Sequence, residues 1–193
     1  MEIEIKTALI GVGATIAGTI LGWILNELSN LGKLNIFVSF WQDEFQKLEA
    51  GHMKSVNTKD DVECYSYKGT IDIYNSSSST KIMRNIRIVF MKEIEELHCS
   101  KPFDDSSREV TGQYLPAVYQ HLNVLNISPK SVISISFHDG IWYNESKDVN
   151  IDFLWKTKSI YIKYEDEKGE TKSFKIKDVD FISSFSENEV EKI

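Results

Sequence analysis

Between Lys6 and Glu27 the chain carries no charged residue for 20 positions, Thr7–Asn26: twelve apolar residues, four glycines, three threonines and one asparagine. At a helical rise of about 1.5 Å per residue such a run measures about 30 Å, the thickness of a bilayer's hydrocarbon core. An interfacial amphipathic helix needs a charged face, and this run has none. A buried core helix is the soluble alternative, for which the run is long. A cleaved signal peptide fits less well. Met1–Lys6 sets Glu2 and Glu4 against one lysine, and Ile24–Leu28 offers no small-residue cleavage pattern. The run also exceeds the roughly 7–15 apolar residues of a signal-peptide core. The sequence therefore predicts a single-pass transmembrane anchor over residues 1–27, with residues 7–26 in the lipid bilayer.

Gly11, Ala14, Gly18 and Gly22 recur along this run, the last two as a literal GxxxG. Helix association in lipid depends on close backbone approach, which small residues permit, so this face is a candidate for homo-oligomerisation. The alternative is that these residues simply face lipid. Orientation is not decided by charge: Lys6 stands on one flank, and Lys33 and then Lys47 on the other. Nineteen lysines against three arginines, with abundant isoleucine, look like a bacterial composition and place the anchor in a bacterial cell membrane. The triplets at Asn75, Asn126 and Asn144 would be glycosylation sites only in a eukaryotic secretory route.

Beyond a connector at residues 28–33 the hydrophobic period changes from helical to two. Leu34, Ile36, Val38 and Phe40 share a face; Tyr65, Tyr67, Ile71 and Ile73 share another, with Ser66, Lys68, Thr70 and Asp72 opposite. Gly69 interrupts that strand and marks a bulge or a close approach. Asn75–Thr80 reads as a polar turn, and alternation resumes through Ile86, Ile88 and Phe90. It returns in Leu122–Ile127, in Val132–Phe137 and in a hairpin whose turn is Asp166–Gly169, flanked by Ile160, Ile162, Tyr164, Phe174 and Ile176. Six to eight such strands predict a mainly β domain over residues 34–182, an antiparallel β-sandwich of immunoglobulin-like or Greek-key type. A small barrel is the alternative. Residues 183–193 are expected to form a polar tail. Trp41–Ala50 reads equally as a three-turn helix or as a continuation of the first strand, and Lys92–Ala117 as a long connection.

The run Ala8–Gly13 through Gly22–Leu25, followed by Gly69–Ser77 and Ile86–Phe90, resembles a recurring kind of small bacterial and prophage single-pass membrane protein. The resemblance is one of pattern over most of the chain. It implies an N-terminal anchor with a cytoplasmic β-sandwich domain, and it implies no activity.

Composition limits the functions available. With 41% hydrophobic and 26% charged residues the chain is neither disordered nor a disulfide scaffold. A net charge of -7 disfavours nucleic acid as a partner. No phosphate-binding glycine loop, GxSxG elbow or HExxH pair is present, so no enzyme activity and no cofactor are expected. His98 and Cys99 with Cys64 form the best metal candidate, but they fall short of a four-ligand site with paired spacing. The same two cysteines could instead form a disulfide if the domain faces outward. Glu93, Glu95, Glu96, Asp104 and Asp105 could attract Ca²⁺, although their spacing matches no EF-hand loop and a solvated face is the plainer reading. Trp142 and Tyr143 follow a strand and are the candidate recognition loop for a protein partner; the plain alternative is that they plug one end of the sandwich. The leading expectation is a membrane-anchored, non-catalytic recognition or regulatory module. The alternative is a membrane-active or defence-type effector acting through oligomerisation of the glycine-rich span.

Overall fold

Strands whose inward side chains are apolar and whose outward side chains are polar can bury one face only by stacking two sheets. The computed structural model, which describes residues 15, 18–25, 32–56, 58–110, 112, 116–143, 150–183 and 185, shows that arrangement. Residues 18–25 are helical (α1). The strands are β1 (Leu34–Glu49), β2 (His52–Ser55), β3 (Cys64–Asn75), β4 (Lys81–Lys92), β5 (Glu95–Ser100) and β6 (Phe103–Asp104). They continue as β7 (Val124–Ile127) and β8 (Val132–Trp142), the single helical turn α2 (Phe153–Lys156), and β9 (Ser159–Glu165) and β10 (Thr171–Asp178). One sheet has the order β2-β1-β3-β8-β6; the other runs β10-β9-β4-β5, with β7 also pairing with β4. The pairings are antiparallel throughout.

Between the sheets lie Ile36, Tyr65, Tyr67, Ile71, Ile73 and Phe137 from the first and Met83, Ile86, Ile88, Phe90, Ile160 and Ile162 from the second. Each such side chain stabilises the fold by about 1.5–3 kcal/mol relative to exposure. One end of the sandwich is closed by aromatic rings. Phe45 lies 5.6 Å from Trp155, 5.4 Å from Phe181 and 4.9 Å from Phe185, measured between ring centroids. The plug is therefore built from β1, α2 and the chain beyond β10, and not from Trp142 and Tyr143.

Two expectations are settled by register. Trp41–Ala50 is no helix: β1 runs unbroken through Glu49, and Gln42 to Gln46 pair with Lys68 to Cys64 of β3. The long connection after Lys92 contains β5 and β6, so the acidic segment Glu95–Glu96 belongs to a strand. The hairpin at Asp166–Gly169 forms as expected, with Gly169 in the left-handed region at φ +80°.

No helix among the described residues is long and apolar enough to cross a membrane. Of the expected anchor only residue 15 and residues 18–25 are described; Gly11 and Ala14 lie outside the described residues, as does the tail after residue 185.

Candidate functional site

At the end of the sandwich where the chain enters β1, the serine-rich segment is a hub of hydrogen bonds. Asn75 is fully buried; its amide donates to the carbonyls of Ser79 (2.8 Å), Ile127 (3.0 Å) and Ser128 (3.1 Å). Its Oδ1 accepts from the Ser77 amide at 2.9 Å and the Ser77 hydroxyl at 2.6 Å. The neighbouring Ser76 grips the incoming chain: its Oγ accepts from the Lys33 amide (2.9 Å) and donates to the Lys33 carbonyl (2.8 Å). The Lys130 ammonium donates to the Ser76 carbonyl. Gly32 packs so close that a Cβ there would sit 2.3 Å from Ser77 Cα. The low-complexity run is thus a fixed corner joining the connector, the β3–β4 turn and the β7–β8 turn.

Toward the opposite end, a cleft of about 490 Å³ opens beside the outer face of the first sheet. The register sets its floor: Gln42, Lys68 and His138 form one outward row, and Glu44, Ser66 and Gly140 the next. The excursion after β6 supplies a wall through Asp105 and Tyr119. His138 Nδ1 pairs with the Asp105 carboxylate, and the Tyr119 ring meets His138 edge-on at 4.6 Å. Asp105 is therefore taken up by His138, and Asp104 caps the following turn by accepting from the Ser106 amide at 2.8 Å. Glu96 pairs with Lys163 of β9.

The inward row at the same level is Asp43, Tyr67 and Asp139. Asp43 accepts from the Tyr65 hydroxyl (2.7 Å) and the Lys177 ammonium (2.9 Å). The Tyr67 hydroxyl lies 2.5 Å from Ser100 Oγ. Burial pushes the Asp139 carboxyl above its usual range; the Gly140 amide, donating at 2.8 Å, and the Ser100 hydroxyl oppose that rise. Burial and the Asp139 charge push the Tyr67 phenol well above its ordinary value. The cleft lining is polar and acid-rich, with Asp43, Glu44, Asp105 and Asp139 set against Lys68 and His138.

Trp142 does not sit on a loop. It is the last residue of β8, opposite Cys64, and its indole lies flat enough over the sheet that a Cβ at Gly140 would be 3.4 Å from Nε1. It remains 45% exposed, and Tyr143 47%. Cys64 is buried and Cys99 exposed, both free, on different sheets. Burial and Asp139 push the Cys64 thiol up to about 12. His98 stacks on Phe153 at 4.3 Å, and its imidazole is held below its ordinary value by desolvation. These three groups therefore have structural surroundings, and no cluster of three or more His, Cys, Asp or Glu suited to a metal occurs among the described residues.

Of the expected association face, Gly18 and Gly22 are described, and Gly11 and Ala14 lie outside the described residues. Among the described residues, a Cβ added at Gly18 or Gly22 would meet nothing within 4 Å.

Residues 32–177 match the family model of the YopI Ig-like domain. Among solved structures, the chain is similar to a candidate ApaA protein of Bordetella pertussis, with 10% identity and a TM-score of 0.35 over 77% of this chain and 91% of that one. It is also similar to a protein from Archaeoglobus fulgidus (11% identity, TM-score 0.36, 74% and 94%). A third is an uncharacterized beta-sandwich protein from Clostridium difficile 630 (11%, TM-score 0.31, 75% and 86%). No curated protein matches the chain in sequence.

Proposed function

The chain belongs to the YopI Ig-like domain family, and from that premise we propose that it is a non-catalytic recognition or regulatory module, anchored in a bacterial cell membrane through residues 7–26. The observation that carries this reading is the exposure of α1: Ile20 is 52% exposed, Leu21 59%, Trp23 64% and Leu25 64%. With Ile24 at 39%, five large apolar side chains on one short helix, with no charged residue beside them to form a polar face, call for a cover that the sandwich does not supply. A bilayer supplies it. The sandwich then presents the acid-rich cleft and the Trp142–Tyr143 pair to a protein partner held at the same membrane.

Cell fractionation tests the anchor. The chain should stay in the membrane pellet after alkaline carbonate, and protease added to intact cells should spare the domain, as a cytoplasmic location requires. Release by carbonate would overturn the anchor. For recognition, the expected result is that Trp142→Ala with Tyr143→Ala abolishes co-purification of the partner without shifting the melting temperature.

The small residues Gly18 and Gly22 favour a second reading, a membrane-active effector that assembles through the span. Overexpression would then depolarise cells, and Gly18→Leu would rescue them.

A further inference from the structure

The corner at Ser76 fixes which end of the sandwich faces an anchored membrane. Lys33 is bonded through both its amide and its carbonyl to Ser76, and Gly32 is wedged against the Ser77 backbone, so from Gly32 onward the chain is part of the sandwich. Six residues separate residue 25 of α1 from Gly32. A peptide spans at most about 3.6 Å per residue, which limits the separation to roughly 25 Å. That is about half the roughly 50 Å length of the 16-residue β1 at about 3.3 Å per residue, so the Ser76 end stays next to the bilayer and the aromatic plug points away.

Charge is unevenly distributed along this axis. Residues 28–193 hold 26 acids (29 less Glu2, Glu4 and Glu27) and 21 bases (22 less Lys6), a net of -5. At the Ser76 end, however, the acids of the β9–β10 turn are held internally: Glu167 by Lys81 at 2.6 Å, Glu170 by Lys172 at 2.5 Å, and Asp166 by the same Lys172 at 3.6 Å and by the Lys168 and Glu170 amides at 2.9 Å, while on the outer face Asp72 stands across from Phe37. Lys33, Lys130 and Lys168 are exposed there with no carboxylate partner among the described residues. Beside them, on the outer face of the first sheet, Phe37 is 59% and Val132 63% exposed. Lysines next to exposed apolar side chains match the chemistry of an interface with anionic headgroups.

We propose that the Ser76 end of the sandwich, through Lys33, Lys130 and Lys168, docks on the anionic phospholipid surface beside the anchor, and so holds the domain in one orientation. The proposal rests on the anchored reading above. Docking of this kind leaves the cleft and Trp142 turned away from lipid and available to a partner.

The test reconstitutes the full chain in phosphatidylcholine vesicles with and without phosphatidylglycerol. A Thr80→Cys, Cys99→Ser variant carries a fluorophore at the Ser76 end, since the buried Cys64 thiol does not react. Headgroup-attached quencher should dim this probe in anionic vesicles and far less in neutral ones. Replacing all three lysines by glutamine should weaken docking on the order of 100-fold and remove the difference, and Lys33→Gln with Lys168→Gln, which leaves the Lys130–Ser76 bond in place, should weaken it in part at an unchanged melting temperature. A probe attached at native Cys99 should be dimmed less than the probe at residue 80 in anionic vesicles. Equal quenching at residue 80 in both lipids, or none in either while the chain floats with the vesicles, would overturn the docking and leave the anchor standing. A chain that fails to float overturns both.

Discussion

Gly69 of β3 stands opposite Phe137 of β8 at such close range that a Cβ on the glycine would lie 2.8 Å from Phe137 Cζ and 3.1 Å from Trp41 Cε3. Phe137 is fully buried, and Trp41 stacks on Tyr67 with ring centroids 5.2 Å apart and planes 8° from parallel. The rings have nowhere to go. Gly69→Ala should cost about 1–3 kcal/mol through overpacking, and Gly69→Val more; urea unfolding at constant slope measures it.

The Asn75 hub gives a second expectation. Asn75→Ala removes the donor from three carbonyls and the acceptor from Ser77, all at a buried corner. Carbonyls left without partners cost about 1–3 kcal/mol each where water cannot reach them. A loss of roughly 2–4 kcal/mol is expected, seen as a melting temperature lower by about 5–15 °C. Exposed Thr80→Ala, in the same turn, should change it little.

The strands that bury one apolar face were legible in the sequence because period-two alternation reports burial directly, as in Tyr65–Ile73 and Ile133–Phe137. Reading failed where an inward position is polar. Asp43 points into the sandwich and is satisfied by Tyr65 and Lys177, residues remote in sequence, so the second half of β1 showed Trp41, Phe45 and Leu48 at a spacing that also suits a helix. Likewise the alternation read from Val132 stopped at Phe137, yet Asp139 and Gly140 both lie within β8: the aspartate faces inward and the glycine makes room for the Trp142 indole. The cleft joins β1, β3 and β8 with the excursion after β6, and no local pattern encodes that meeting. The serine run looked like a solvated turn because its partners, Lys33, Ile127 and Ser128, are about 40 to 50 residues away.

Thiol chemistry separates the two cysteines. With its thiol pushed up to about 12, Cys64 holds a thiolate fraction of about one in 10,000 at pH 8. Cys99 is exposed, so a reagent reaches it in the folded chain. Iodoacetamide at pH 8 should add one group per folded chain, at Cys99, and two after unfolding, read by intact mass.

His98 ties stability to pH. Desolvation holds its imidazole below the ordinary value of 6.5 in the folded chain, so the unfolded chain binds the proton first. Its contribution is intact above pH 6.5 and is lost as the pH falls from there through the folded value. His98→Phe keeps a ring against Phe153 and carries no proton. The variant should lose less melting temperature than wild type between pH 7 and pH 5, and parallel curves would contradict this.

Asp139 acts in the opposite sense. Burial raises its carboxyl in the folded chain, so folding favours the protonated form and the ionised form is penalised. Below the usual carboxylate range both states are protonated and the penalty is absent; it grows as the pH rises from there through the folded value. Asp139→Asn keeps an oxygen for the Gly140 amide, bonded at 2.8 Å, and removes the charge beside the Tyr67 phenol and the Cys64 thiol. The variant should therefore be more stable than wild type at pH 7, read as a higher melting temperature. The gain should vanish at pH 3. The Cys64 thiol should also titrate lower, though still above the ordinary range because burial is its larger cause. A variant less stable at pH 7 would mean that the Asp139 charge is favourably held, with His121 and His138 outweighing the loss of solvent.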